Sequence, residues 1–148
     1  MFIDHCSLHI DNMLNFKIVT PEGTIYEDQI EKVTIPTTSG AITVYPNHIP
    51  LVSVLQAGEM NIHKGDTIIN LAVSSGVIEI RPDSEVYVMA DTAERSNNID
   101  IQRAKEAKLR AEELMKKQEN ALDVDFAYLQ AKIEKELARI SVGNKYRN

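Results

Sequence analysis

The amino-acid sequence predicts two units in series: an all-β sandwich or flattened barrel, then a hairpin of two antiparallel α-helices. Three observations carry this. Apolar residues alternate with polar ones before residue 98 and recur at helical spacing after it. All five prolines lie before residue 98, and of the six glycines only Gly143 lies after it. The charge divides there too. Residues 1–98 hold five Lys/Arg against thirteen Asp/Glu, whereas residues 99–148 hold eleven against nine. An acidic β-rich part is joined to a mixed-charge helical part.

The order of elements follows from local signals. Met13-Leu14-Asn15-Phe16 is a natural start. Residues 1–13 are therefore expected to be an N-terminal extension outside the fold, residues 14–98 the sandwich, and residues 99–148 the hairpin. Phe16 and Ile18 alternate with Lys17. Ile78 and Ile80 interleave with Val77, Glu79 and Arg81, and Val86 and Val88 with Glu85, Tyr87 and Met89. Turn signals recur at Pro21-Glu22-Gly23, Ser39-Gly40, Pro46-Asn47, Ala57-Gly58, Ser75-Gly76 and Pro82-Asp83. Lys64-Gly65-Asp66 reads as a hairpin tip between Met60–His63 and Thr67–Leu71, since glycine supplies a positive φ. Strands this short must stack as two sheets to build a core.

Past residue 98 the period changes. Ile101, Ala104, Ala107, Ala111, Leu114 and Met115 fall on one helical face, and Phe126, Leu129, Ile133, Leu137 and Ile140 on another. Asp100 is the expected N-cap of the first helix, and Asp123 or Asp125 of the second. Gln118 to Asp123 form the break, and Gly143 is expected to mark the exit. The first stripe is mostly alanine. It permits close approach but buries little area, so at ~25 cal/mol per Å² the hairpin is expected to be weakly held and able to move.

Bulk properties exclude several functions. The net charge of −6 argues against nucleic-acid binding, which needs a basic face. The start, MFIDHCSLHIDN, lacks the basic and apolar regions of a signal peptide. No apolar run approaches the ~20 residues that span a bilayer, so any tie to a membrane is expected to go through a partner. The single cysteine, Cys6, has no partner for an internal disulfide, which permits a reducing compartment. No phosphate loop, H-E-x-x-H or nucleophile elbow is present, which argues against a self-contained NTPase or hydrolase.

Two groups of residues stand out. His5, Cys6 and His9 have the chemistry of metal ligands, but an irregular terminus is the commoner setting for such a cluster. No metal is expected. Tyr45-Pro46-Asn47-His48-Ile49-Pro50-Leu51 sets two prolines around a polar pair within an apolar run. Pro46 lacks a ladder donor, so the segment is a loop or edge, either a rigid link between strands or a functional surface.

The chain resembles the epsilon subunit of the F-type ATP synthase across residues 14 to about 142. The matching stretches are Ile18 to Gly23, Gly40 to Pro50, Gly76 to Ile80, Asp91 to Glu94 and Asp100 to Ala104, in that order. The resemblance implies a ten-stranded sandwich followed by two helices. It implies a non-catalytic subunit on the central rotary stalk, bound to the gamma subunit and touching the c-subunit ring. There it would couple proton flow to rotation at the cytoplasmic face of a bacterial membrane. In many bacteria the helices of such a subunit inhibit ATP hydrolysis by reaching toward the alpha/beta catalytic head. By the same resemblance Tyr45, Asn47, His48 and Ile49 face gamma and the c ring.

No cofactor is required, but some members bind regulatory ATP through an I/L-D-x-x-R-A motif. Ile99-Asp100-Ile101-Gln102-Arg103-Ala104 matches it in full. Arg103 and Arg110 stand seven residues apart, two helical turns, and guanidinium groups suit phosphate oxygens. Glu94 and Asp100 would accept from the adenine amino group, and Arg139 would close over the phosphates. The match departs at Lys135, where strong ATP binders carry an arginine; a lysine lacks the bidentate fork. The main alternative is a free-standing ATP-sensing module, separable by whether the chain binds gamma tightly. An enzyme of unknown type is a third, which any turnover by the purified chain would support.

Overall fold

The computed structural model describes residues 12–117 and 126–147. His5, Cys6, His9, most of the predicted extension, the Gln118 to Asp123 break and the candidate caps Asp123 and Asp125 lie outside them. The β part comprises β1 (Leu14–Thr20), β2 (Gly23–Ile30), β3 (Lys32–Thr37), β4 (Gly40–Val44) and β5 (Leu51–Leu55). It continues through β6 (Gly58–Lys64), β7 (Thr67–Val73), β8 (Gly76–Arg81), β9 (Glu85–Ala90) and β10 (Ala93–Arg95). A 3-10 turn at Ser96–Asn98 leads into α1 (Ile101–Lys117), and α2 (Phe126–Lys145) follows.

The strands form one ladder in the order β10-β7-β6-β3-β5-β8-β9-β1-β2, with β4 on β3. β3 and β5 meet at a single pair, Thr37 with Leu55, the corner where the ladder folds into two layers. β10-β7-β6-β3-β4 is one layer and β5-β8-β9-β1-β2 the other. The period-two reading holds: Phe16, Ile18, Ile78, Ile80, Val86 and Val88 all point inward and are buried. Leu14, Ile30, Val33, Ile35, Val44, Met60, Ile62 and Leu71 complete an apolar interior. Lys64 pairs with Thr67 across the predicted hairpin tip, and Gly65 has φ +58°.

The Asp100 side chain caps α1: its Oδ1 accepts from the Arg103 backbone N–H at 3.1 Å. Gly143 does not mark an exit. It lies inside α2, buried, where an added Cβ would stand 2.8 Å from Ile101 Cγ1. Glycine is there for close helix approach rather than for a left-handed cap. The apolar stripes also divide differently from the expectation. Ala104, Ala111, Leu129, Ile133 and Val142 are buried, whereas Leu114, Phe126 and Leu137 are exposed. α2 packs against both α1 and the β6–β7 surface, so its buried face takes in Glu136 and Ala138 and turns Leu137 outward.

Candidate functional site

A cleft of about 560 Å³ opens where the helices meet the end of the sandwich. The β1–β2 turn brings Thr20 and Glu22 to it; the β9–β10 connection brings Asp91 and Thr92, and β10 brings Glu94. α1 contributes Arg103, Ala107 and Arg110 at successive turns of one face, and α2 contributes Lys132, Lys135, Glu136 and Arg139. Helices thus supply the cations and strands most of the carboxylates.

The cations fall into two classes. Arg139 is engaged: its Nε donates to Glu94 Oε2 and a terminal nitrogen to Glu136 Oε2, each at 2.8 Å. Burial works against its charge, but the bonds to the two carboxylates outweigh it and raise its pKa above the usual arginine value. Arg103, Arg110, Lys132 and Lys135 have no carboxylate within ion-pair distance among the described residues. Cations outside any such ion pair, converging on a cleft that also holds Glu22 and Asp91, can take a polyanion such as a phosphate chain, and two of them are planar forks.

Of the residues singled out for nucleotide binding, the structure gathers Glu94, Arg103, Arg110 and Arg139 along one cleft. Asp100 and Ala104 do not line it. Asp100 is committed to the helix cap, and Ala104 is fully buried. Glu94 is turned to Arg139 rather than left open. Sequence reasoning missed Glu22, Asp91, Thr92 and Lys132. The first three come from strand ends, and only the fold brings those beside the helices. Lys132 lies one turn before Glu136, so helical periodicity was the available signal.

The second group lies at the other end of β1 and β9. Seven strand residues, at ~3.3 Å each, put roughly 20 Å between the two. The loop between β4 and β5 carries Tyr45, Asn47, His48 and Ile49, with Ile49 75% exposed. Asn47 has φ +63°, and its N–H donates to Ser84 Oγ at 2.8 Å in the β8–β9 turn. Asp83 and Ser84 also have positive φ, at +65° and +59°. Two tight turns thus brace each other, while His48 Nδ1 lies 2.6 Å from the Ile49 carbonyl oxygen. Beside the loop runs an apolar outer face that the sequence reading did not pick out. Val54 pairs with Val77 and Val77 with Met89, while Val52 lies on the same face of β5, all exposed. Its signal was the apolar residues at the outward positions of β5, β8 and β9.

Known proteins share both units. A family model for the "ATP synthase, Delta/Epsilon chain, beta-sandwich domain" matches residues 13–96. One for the "ATP synthase, Delta/Epsilon chain, long alpha-helix domain" matches residues 97–143. An ATP synthase epsilon chain of Halalkalibacterium halodurans is 37% identical over 134 residues, covering 89% of this chain and 98% of that one. One from Bacillus cytotoxicus is 39% identical over 127 residues, covering 86% and 93%. Among solved structures, a chain of the Euglena gracilis mitochondrial ATP synthase superposes with a TM-score of 0.68 at 17% identity, over 90% of this chain and 82% of that one, a likeness of fold. The chain belongs to the ATP synthase delta/epsilon chain family. Within it the chain is of the epsilon type, like the ATP synthase epsilon chains it matches.

Proposed function

We propose that the chain is a non-catalytic rotor subunit whose sandwich docks on the stalk and whose helices form an ATP-responsive brake on hydrolysis. The observation that carries the brake is the convergence of Arg103, Arg110, Lys132 and Lys135 on one cleft between helices and sandwich. A triphosphate bound there would touch both helices in the folded-down pose and lose half its partners if they swung away. A ligand shifts a conformational equilibrium only by such a difference in affinity. ATP therefore favours the docked pose. Its loss frees the helices to reach the alpha/beta head and restrain hydrolysis.

The docking half rests on the braced loop at Tyr45, Asn47, His48 and Ile49 and on the Val52, Val54, Val77 and Met89 face. A rigid, apolar surface suits a persistent partner, here gamma with the c ring, and a free-standing sensor needs none. The membrane tie runs through those partners, at the cytoplasmic face. Among the described residues no helix is long and apolar enough to cross a bilayer.

Calorimetry on the full chain tests the brake: ATP binds the native chain, and Arg103→Ala weakens binding by about tenfold or more, as loss of a charge-assisted phosphate contact should. No binding at millimolar ATP would remove the nucleotide role. Hydrolysis by the whole complex, with and without residues 99–148, tests the restraint, which should disappear with the helices. Val54→Asp with Val77→Asp tests docking, and unimpaired binding to gamma would place the interface elsewhere.

A further inference from the structure

The outer face of β6, β7 and β10 carries one transverse row. Glu59 pairs with Ala72, and Ala72 with Glu94, so a methyl group on β7 lies between two carboxylates on the flanking strands β6 and β10. Two strand spacings separate the carboxylates, about 10 Å. α2 lies over this row, and Ala72 is buried beneath it. On one side Glu94 takes Arg139. On the other, Glu59 takes the end of the helix. Lys145 Nζ stands 3.0 Å from Glu59 Oε2, and the Tyr146 hydroxyl donates to Glu59 Oε1. Arg139 and Tyr146 are seven residues apart, two turns or about 10.5 Å along a helix. The spacing of anchors on α2 therefore matches that of the carboxylates on the sheet.

The two ends differ in their relation to the cleft. Glu94 and Arg139 line it; Glu59, Lys145 and Tyr146 do not. Glu59 is also held rigidly from its own sheet. Asn61 Nδ2 donates to Glu59 Oε1 and to Asn70 Oδ1, each at 2.7 Å. Asn61 thereby ties the carboxylate to its own sheet.

We propose that Glu59, with Lys145 and Tyr146, is a latch that closes the hairpin on the sandwich independently of any ligand in the cleft. A nucleotide acts on the Glu94 side alone, and the latch sets how far the helices open when the cleft is empty. This rests on the reading of the hairpin as a two-state element. Amide hydrogen exchange on the full chain, without nucleotide, separates the two ideas. Glu59→Gln keeps the shape and removes the charge, and Tyr146→Phe removes one donor near the chain end without touching the sheet. Each should speed exchange in α2 by about fivefold, the effect of a partly exposed charge-assisted bond, while β1 and β9 keep their protection. Unchanged α2 exchange in both variants, or equal acceleration in β1 and β9, overturns the latch. ATP that leaves wild-type α2 exchange unchanged, with Glu59→Gln still accelerating it, removes the nucleotide reading and keeps the latch.

Discussion

The interior of the sandwich and the seam between sandwich and helices are built from different interactions. The interior is apolar: from Leu14 on β1 to Val88 on β9 the inward side chains are aliphatic or aromatic and sealed from water. The seam is polar. Its ion pairs and hydrogen bonds with the sheet run through Glu59, Glu94, Arg139, Lys145 and Tyr146, beside small buried apolar residues such as Ala72, Ala138 and Val142. Burial of hydrocarbon is non-directional and survives small shifts, whereas an ion pair is lost once its partners separate. The difference suits the proposed brake, a persistent part joined to one that leaves.

The largest expected effect comes from breaking the interior. Phe16 is buried at the centre of β1 and packs against the Tyr26 ring, with centroids 6.1 Å apart. Phe16→Ala should cost about 3–5 kcal/mol in denaturant unfolding of the full chain and lower both units together, since α2 packs on the sandwich surface. Loss confined to the helices would mean that the seam, not the interior, carries the fold.

The two regions were also unequally legible in the sequence. Period-two alternation fixes which face of a strand is buried, so Phe16, Ile18, Ile78, Val86 and Val88 were readable one strand at a time. The seam was not. Glu59 and Glu94 became neighbours of α2 through register across three strands, and strand pairing at such sequence distance leaves no local trace. Gly143 was misread because a helix-terminal glycine and a close-packing glycine look alike without knowledge of the partner, Ile101. Within the cleft, Arg103 and Arg110 were visible because both lie on one helix. Glu22 and Asp91 were not, because strand ends become a site only after folding.

An intermediate effect should follow from breaking the inner anchor of the seam. Arg139→Met leaves Glu136, a carboxylate only 4% exposed, without the guanidinium that neutralises it. Removing one member of a fully buried pair costs several kcal/mol, but Glu94 is partly solvated, so about 2 kcal/mol is expected. The loss should fall on the helices alone. Proteolysis within α1 and α2 should accelerate while the sandwich's denaturation midpoint holds. A fall in that midpoint would show that the seam braces the sandwich as well.

The smallest effect, and the one that most sharpens the contrast, is titration. An apolar interior has nothing to protonate, whereas the latch has Glu59. Burial pushes the Glu59 carboxyl upward, but hydrogen bonds from Tyr146, Asn61 and Lys145 outweigh it and hold the pKa below the usual carboxylate value. The one charged group facing it among the described residues is Lys145, with the Tyr146 hydroxyl, Asn61 and Asn70 neutral beside it. A carboxyl with a depressed pKa binds protons more weakly when docked than when released. Its contribution is therefore complete above the undocked pKa and fades as pH falls through the docked one. Helix docking should loosen on acidification through the carboxylate range, before the sandwich unfolds. Lys145 keeps its charge throughout, since the carboxylate range lies far below the pKa of an ammonium group. Exchange in α2, corrected for the intrinsic pH dependence of amide exchange, should rise on acidification in the native chain and show a flatter profile in Glu59→Gln. Equal slopes in the two chains would place the pH response outside the latch.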